Sequence, residues 1–363
     1  MKVLICGAGV GGLSAAIGLV GLGHDVEVFE RSPELRTTGA GLNLWPNAGR
    51  AIYSLGLRKQ YDDICVKLDR YLNYDHEGKL LFEKDTSRWP EEYGAASVGV
   101  YRWSLTSMLA DAYGADRIKF DHEVVSVEEA GEKAICHFSN GESHEGDVVI
   151  GADGIYSAIR EQLIGGVTFR RNEHHAFRYR AILDLDQVDV DPAAQTGFYS
   201  PNGWLSVIPI GNGKAYWFGS ASGANSFDEF VEFFSSWKKT HIPRTLSMTP
   251  REAVVESPLN DVAGILYTWT HGRITLMGDA AHPMMPDLAQ GASQTFIDAQ
   301  VLRDVFAKHD NVKEALAAYE NQRRPAATYV VQCSQKGSFL GRNHVDPIAV
   351  RYEKEIEASA LPC

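Results

Sequence analysis

The sequence predicts an α/β fold: a Rossmann-like dinucleotide-binding domain, an inserted antiparallel sheet and C-terminal helices. Three observations predict it. The glycine run Gly7-Ala8-Gly9-Val10-Gly11-Gly12 joins an apolar strand pattern to an apolar helix pattern. From Thr168 to about Gly264 the chain becomes a series of closely spaced aromatic-rich strands. From Arg273 to Ala299 it returns to a strand, a two-proline loop and a helix start. The expected domains are 1–167, which carries part of the substrate region near 64–101, then the insert 168–264, then 265–363.

Lys2 to Cys6 reads as a strand, Gly11 to Leu22 as a helix that Gly23 ends, and His24 to Glu30 as an alternating strand finishing on an acid. Glu30 stands eighteen residues beyond Gly12, where a dinucleotide fold places its ribose-binding carboxylate. Gly7 makes the tight turn, Gly9 lets a pyrophosphate approach the backbone, and Gly12 lets helix pack on strand. Gly39, Gly41 and Asn43 suggest a loop that comes close to something flat, before a helix from Pro46 or Asn47 to Leu55. Ile64 to Glu83 reads as a β-hairpin pair, and 84–97 as aperiodic surface.

Val98 to Tyr101 reads as a strand that delivers Arg102 to the start of a helix. That arginine is either solvated or paired with a phosphate. Short strands follow at 118–120, 123–128 and 134–138, and Asn140-Gly141 is a hairpin turn signal. The continuous apolar strand Asp147 to Ile150 ends in Gly151-Ala152-Asp153-Gly154, with Arg160 in the next helix. Asp153 is either a helix cap or a ligand contact at the carboxyl end of that strand. In the insert, strands at 174–185, 197–200, 204–210 and 214–222 precede a helix that Ser226 to Glu229 opens as a capping box and that runs to about Lys239. The aromatic face of that sheet is either core or the wall of an apolar site. After Gly278-Asp279 at a strand end, a helix starts at Gln290-Gly291-Ala292-Ser293 and runs to about Lys308. A longer one, 312–339, is kinked by Pro325, and a short one lies near 352–358.

With 363 residues and a net charge of −12, the chain lacks the basic balance that nucleic acid or an anionic membrane surface requires. Its five cysteines show neither metal-ligand nor Cys-x-x-Cys spacing, so we read reduced thiols in a cytoplasmic protein and expect no metal. The uncharged run Val3 to Gly23 holds seven glycines, which suit a strand-turn-helix better than a membrane span or a signal peptide.

Three motifs therefore stand in order: GAGVGG with Glu30, GADG with Ser157 and Arg160, and MGDAAHPMMPDLAQGAS from Met277. Together with Tyr319-Glu-Asn-Gln-Arg-Arg-Pro325 they resemble the single-component FAD-dependent aromatic hydroxylases, the para-hydroxybenzoate and salicylate hydroxylase family. The resemblance implies that Gly7, Gly9, Gly11 and Gly12 hold the FAD pyrophosphate, with Arg102 on its other side. It implies that Glu30 meets the adenosine ribose and Val124 the adenine, with Arg31 a further cofactor contact. Gly41, Leu42, Asn43 and the loop Ala289, Gln290, Gly291, Ala292 and Ser293 would line the isoalloxazine, and Asp279 would bind the ribityl chain. Asp153 and Arg160, with Gly154 between them, belong to a motif that the family links to both FAD and the nicotinamide nucleotide. Two departures stand out: Ala289-Gln290-Gly291 replaces the common Gly-Gln-Gly, and Ile297-Asp298-Ala299 the frequent Glu-Asp-Ala.

What the resemblance implies chemically is a monooxygenase reduced by NADPH or NADH, which forms a flavin 4a-hydroperoxide with O₂ and hydroxylates a small aromatic or heteroaromatic substrate. A monomer or homodimer would suffice. An apolar wall would keep the site dry, and the helix N-terminus at Gly291 would steady negative charge on the ring edge. Candidates for activating the substrate are Arg180, Tyr216, His282 and Asp287. His282 reads equally as a satisfied loop histidine and Tyr216 as a core aromatic. Asp287 after Pro286, with Tyr216 on its strand, resembles relatives acting on nitrogen heterocycles such as urate, but Trp204 stands where those relatives tend to carry a basic residue, which speaks against urate itself. Rival readings are a flavin oxidase or dehydrogenase on this fold, a hydroxylase of larger polycyclic substrates, and a non-catalytic dinucleotide sensor.

Overall fold

The computed structural model describes residues 1–35, 40–165, 169–171, 177–258, 260–262 and 266–340. Its first sheet has the strand order Thr270–His271, Ile274–Leu276, Val148–Gly151, Lys2–Cys6, Asp25–Phe29 and Ile118–Lys119. All neighbours are parallel except the edge pair Thr270–His271 with Ile274–Leu276. Val3, Leu4 and Ile5 at the centre are fully buried, as the continuous apolar run requires of a strand covered on both faces. The helices Val10–Val20 and Gly291–Phe306 pack on each other over this sheet.

Parallel pairing decides where the motifs meet. Cys6 lies opposite Gly151, and Gly151 opposite Leu276. The carboxyl ends of three strands therefore lie side by side, and Gly7, Asp153 and Asp279 leave the sheet at the same edge. Ligands of open α/β sheets bind in such crevices.

The second sheet runs Val255–Pro258, Phe177–Asp184, Lys214–Ala221, Gly203–Gly211, Ala194–Ser200, Arg70–Asp75 and Leu80–Asp85. It is antiparallel throughout except where Ala194–Ser200 pairs in parallel with Arg70–Asp75, so a hairpin from the first part of the chain completes the sheet. One face packs Leu205, Val207 and Trp217 against Phe227, Phe230 and Phe234 of the helix Phe227–Ser235. The other face presents Tyr71, Ile208, Ile210 and Tyr216 to Trp45 and Trp89.

Four local expectations change. Gly41–Leu44 is a strand rather than a loop, because Val98–Tyr101 supplies an antiparallel partner for its backbone. Residues 84–97 are not all surface: the helix Trp89–Tyr93 buries Trp89 in the aromatic cluster. Ser226 caps its helix by accepting from Glu229 N–H, but the Glu229 carboxylate returns to Asn225 N–H, one residue outside a capping box, and the helix ends at Ser235. A further helix, Ile242–Ser247, follows it. The helix Val312–Leu340 continues through Pro325. The proposed helix near 352–358 lies outside the described residues, as do Gly39, the first residues of the 174–185 strand and Cys363.

Candidate cofactor and substrate site

The turn after Lys2–Cys6 is built to admit a ligand. Gly7 has φ +115°, a conformation that side chains rarely adopt, and a Cβ there would stand 2.3 Å from the Ala152 carbonyl oxygen. A Cβ on Gly12 would stand 1.9 Å from the Gly7 oxygen, so the helix meets the turn only because that position has no side chain. A Cβ on Gly9, by contrast, would meet nothing within 4 Å, which leaves the helix N-terminus open to an anion. Gly11 faces Thr295 of the second helix, where a Cβ would sit 2.6 Å from the threonine methyl. Glu30 is fixed by backbone donors: Ala8 N–H reaches one carboxylate oxygen and Ser32 N–H the other, both at 3.0 Å.

A cavity of about 430 Å³ opens beside this turn, within the range of small-molecule sites. It gathers Gly7, Gly9, Glu30, Arg31, Arg102, Val124, Asp153, Gly154 and Arg180 from six separate stretches of chain. Leu35, Trp103 and His122 also line it and carry no motif that marks them in the sequence. Asp153 is largely buried: burial raises its pKa, while hydrogen bonds from Ser157 and from backbone N–H groups partly offset that. Its Oδ2 accepts from Ile159 N–H at 3.3 Å, and its Oδ1 is buried without a partner among the described residues. Asp153 is thus both a cap and a cavity carboxylate.

Arg160 couples this motif to the one at Asp279. The guanidinium is buried and donates to the carbonyl oxygens of Asp279 at 3.2 Å, Ala280 at 3.0 Å and Ile155 at 2.5 Å. Asp279 itself points outward and is exposed. Gly278 before it has φ +57°.

What holds Gly278 in place is a buried charged cluster. Asp298 is fully buried and accepts from Gly278 N–H at 2.9 Å, His282 Nε2 at 2.6 Å and Arg323 Nε at 2.8 Å. Burial alone would raise its pKa, but the His282 and Arg323 charges and the hydrogen bonds outweigh burial and hold it below the usual carboxylate range. Arg323 also donates to the Gln294 side-chain oxygen at 2.8 Å, and Gln294 donates to Gln290 at 3.1 Å. Asn47 donates to that same Gln290 oxygen at 2.9 Å. One polar chain therefore joins the Gly278 turn, the start of the helix Gly291–Phe306 and the strand-to-helix turn before Asn47. Asp298 and Arg323 fall within the Ile297-Asp298-Ala299 and Tyr319–Pro325 motifs, but their partnership is visible only in three dimensions.

The remaining candidates divide. Arg180 is half-buried and lines the cavity. Tyr216 is buried on the inner face of the second sheet, stacked on Phe218 at 5.1 Å, and a Cβ on Gly41 would lie 2.5 Å from its Cβ. The glycine thus brings the Gly41–Leu44 strand directly against the sheet. Asn43 Nδ2 donates to Tyr71 Oη at 2.8 Å, and Tyr71 Oη lies 2.5 Å from Ser97 Oγ, a polar line inside an aromatic cluster. His282 is turned to Asp298 and Trp269, away from the cavity lining. The Asp287 side chain lies outside the described residues. Leu42 is half-buried. Ala289 has φ +50°, so the residue replacing the common glycine sits in the left-handed region, at a cost of about 1–2 kcal/mol. Gly291 and Ala292 open the helix, and Ser293 Oγ is buried without a partner among the described residues.

A glycine turn with an open Gly9, a carboxylate on each flanking strand end and a buried Asp153 oxygen without a partner among the described residues suit a dinucleotide, and fold and site together define a dinucleotide-binding protein. Residues 1–334 match the family model described as FAD binding domain, and the chain belongs to that family. It is 32% identical over 355 residues to the FAD-dependent urate hydroxylase of Mycolicibacterium vanbaalenii, covering 93% of this chain and 87% of the relative. It is 29% identical over 350 residues to the aurachin C monooxygenase/isomerase of Stigmatella aurantiaca, covering 94% and 90%. Klebsiella pneumoniae HpxO, solved with FAD and uric acid, superposes with a TM-score of 0.86 at 26% identity, covering 98% of this chain and 93% of that one. The chain is therefore an FAD-dependent monooxygenase by family. No helix among the described residues is long and apolar enough to cross a membrane.

Proposed function

We propose that the protein hydroxylates a small aromatic or heteroaromatic compound, using FAD, O₂ and NADPH or NADH. The observation that carries this reading is the cavity itself, in which the Gly7–Gly9 turn, Glu30, Arg102 and Asp153 face Arg180 of the second sheet. FAD, once bound and reduced by the nicotinamide nucleotide, supplies the oxygen activation that protein side chains lack.

The chain's own residues do the rest. The Gly9 backbone and Arg102 bind the pyrophosphate, and Glu30, already oriented by two N–H donors, accepts from the ribose hydroxyls. The exposed Asp279 carboxylate takes the ribityl chain. The Gly41–Leu44 strand and the N-terminus at Gly291 border the ring, where backbone N–H dipoles favour negative charge. The inner face of the second sheet excludes water and stacks the substrate.

On that face Trp204 packs edge-on against Phe218 at 5.6 Å, an apolar edge that suits a neutral ring better than an ionised one. Tyr216 orients the substrate hydroxyl or ring nitrogen. Arg180 and Asp287 are further candidates to polarise the substrate. His282 acts through Asp298 as a positioning residue.

Mixing the purified yellow protein with a panel of neutral phenols and nitrogen heterocycles tests this. The expected outcome is ring-stimulated NADPH or NADH oxidation with a product heavier by one oxygen atom. Nicotinamide consumption matched by hydrogen peroxide with every ring compound would instead make it an oxidase.

A further inference from the structure

Beside the cavity, whose lining includes His122, two histidines and a glutamate converge on one point of the surface. Glu142 closes the Asn140-Gly141 turn, where its N–H donates to Asn140 Oδ1 at 2.9 Å. His144 follows on the strand Ser143–Gly146, and His122 stands just before the strand Val124–Ala130. Both imidazoles rest on an aromatic floor: the Phe29 ring centroid is 5.5 Å from His122 and 4.8 Å from His144. Their side chains are only 12% and 19% exposed, so little rotamer freedom remains to be lost, whereas Glu142 is 57% exposed.

The hydrogen bonds decide which nitrogens face inward. His122 Nδ1 is 2.5 Å from the Phe120 carbonyl oxygen, which only accepts, so Nδ1 carries the hydrogen and the neutral ring's lone pair is on Nε2. That lone pair is aimed at Glu142 Oε2, 3.1 Å away. His144 Nε2 is 3.3 Å from the same oxygen. Its Nδ1 is 3.2 Å from Glu27 Oε2 and 3.4 Å from Lys119 Nζ, the carboxylate being nearer. With Nδ1 committed to the Phe120 carbonyl, His122 presents Nε2 to Glu142 Oε2, the same oxygen that His144 Nε2 faces.

We propose that His122, His144 and Glu142 form a binding site for a divalent transition-metal ion of the zinc type. The donor atoms all lie within 4.8 Å of one another, and two of the three separations, 3.1 and 3.3 Å, match the roughly 3.3 Å edge of a tetrahedron with bonds of about 2.0–2.1 Å. Outer nitrogens tied to a carbonyl and a carboxylate are the arrangement that orients histidine toward a metal. Two imidazoles and one carboxylate suit zinc and its neighbours better than magnesium or calcium. The exposed side of Glu142 leaves room for a water as fourth ligand.

Such an ion would clasp one wall of the cavity. His122 N–H donates to the Glu30 carbonyl oxygen at 2.9 Å and Asp121 N–H to Ser32 oxygen at 3.2 Å, while His122, Glu123 and Val124 line the cavity. Tying His122 to the 140–144 hairpin therefore steadies Glu30. The effect on the cofactor, unlike the metal site itself, rests on the FAD reading given above.

The test titrates chelator-treated holoprotein with zinc chloride. We expect one high-affinity zinc per chain in the wild type, at least tenfold weaker in both His144→Ala and Glu142→Gln. Zinc should raise Tm by several degrees and slow flavin release in the wild type only. Turnover without zinc should be unchanged in both variants, and Glu142 is exposed enough that its variant folds. Equal zinc affinity in all three proteins would overturn the site, and zinc bound without slower flavin release would overturn the clasp. A colourless protein that still binds zinc through His144 would sink the FAD reading and leave the metal site standing.

Discussion

The two ends proposed for the FAD path are built on opposite principles. At the adenosine end, space is made by leaving side chains out: Gly7 and Gly12 have no room for a Cβ, Gly9 faces open space, and backbone N–H groups hold Glu30. At the ring end, shape is imposed by charge. Asp298, fully buried, holds the Gly278 turn, His282 and Arg323 together, and a polar chain carries that order through Gln294 and Gln290 to Asn47. The comparison teaches that a glycine turn fails by overcrowding, whereas a buried ion cluster fails by losing one member.

Breaking the charged end should cost most. Asp298→Ala leaves the Arg323 guanidinium buried without its carboxylate, a loss of about 3–5 kcal/mol. Chemical denaturation should read it, and Asp298→Asn should recover part of it. The same cluster gives a pH signature. Because the folded pKa of Asp298 lies below its unfolded value, its stabilisation is fully present above the ordinary carboxylate range and is lost as pH falls through the depressed folded value. The wild type should therefore lose more stability on acidification than Asp298→Asn does.

Crowding the glycine end comes next. Gly7→Ala adds left-handed strain to a 2.3 Å clash with backbone, about 2–4 kcal/mol in all. Flavin absorbance after gel filtration should fall with it, while Gly23→Ala, also at positive φ but with nothing within 4 Å, should keep its flavin.

Smaller effects sharpen the contrast. Asp279→Ala removes an exposed carboxylate, so flavin affinity should drop roughly tenfold, about 1.4 kcal/mol, with Tm of the flavin-free protein unchanged. Unaltered flavin retention would remove Asp279 from the site. Tyr216→Phe should lower the yield of hydroxylated product per nicotinamide consumed without lowering flavin content. Ala289→Gly should have the smallest effect, a gain of at most about 1 kcal/mol from relieved strain.

Much of this was legible in the sequence, and for a local reason. A strand, a glycine turn and a helix form from neighbouring residues, so GAGVGG with Glu30 marked a turn and an acid that the structure brings to one cavity. Gly151 to Asp153 and Gly278-Asp279 are equally local, and periodicity sufficed to mark them as strand ends. Less legible was Gly41–Leu44, which reads as a loop because four residues with two glycines nearby carry too little pattern. Only Val98–Tyr101, half a hundred residues later, makes it a strand.

By itself the sequence determined the parallel α/β core, the family and the motif residues, since these depend on short-range pattern and backbone conformation. Tertiary structure alone decided which groups share a site. Parallel register brought Gly7, Asp153 and Asp279 to one edge, and packing turned His282 inward to Asp298. It also placed Tyr216 against Gly41, and hairpin geometry gathered His122, Glu142 and His144. Those juxtapositions depend on side-chain direction and on separations of up to hundreds of residues, which no local spacing encodes.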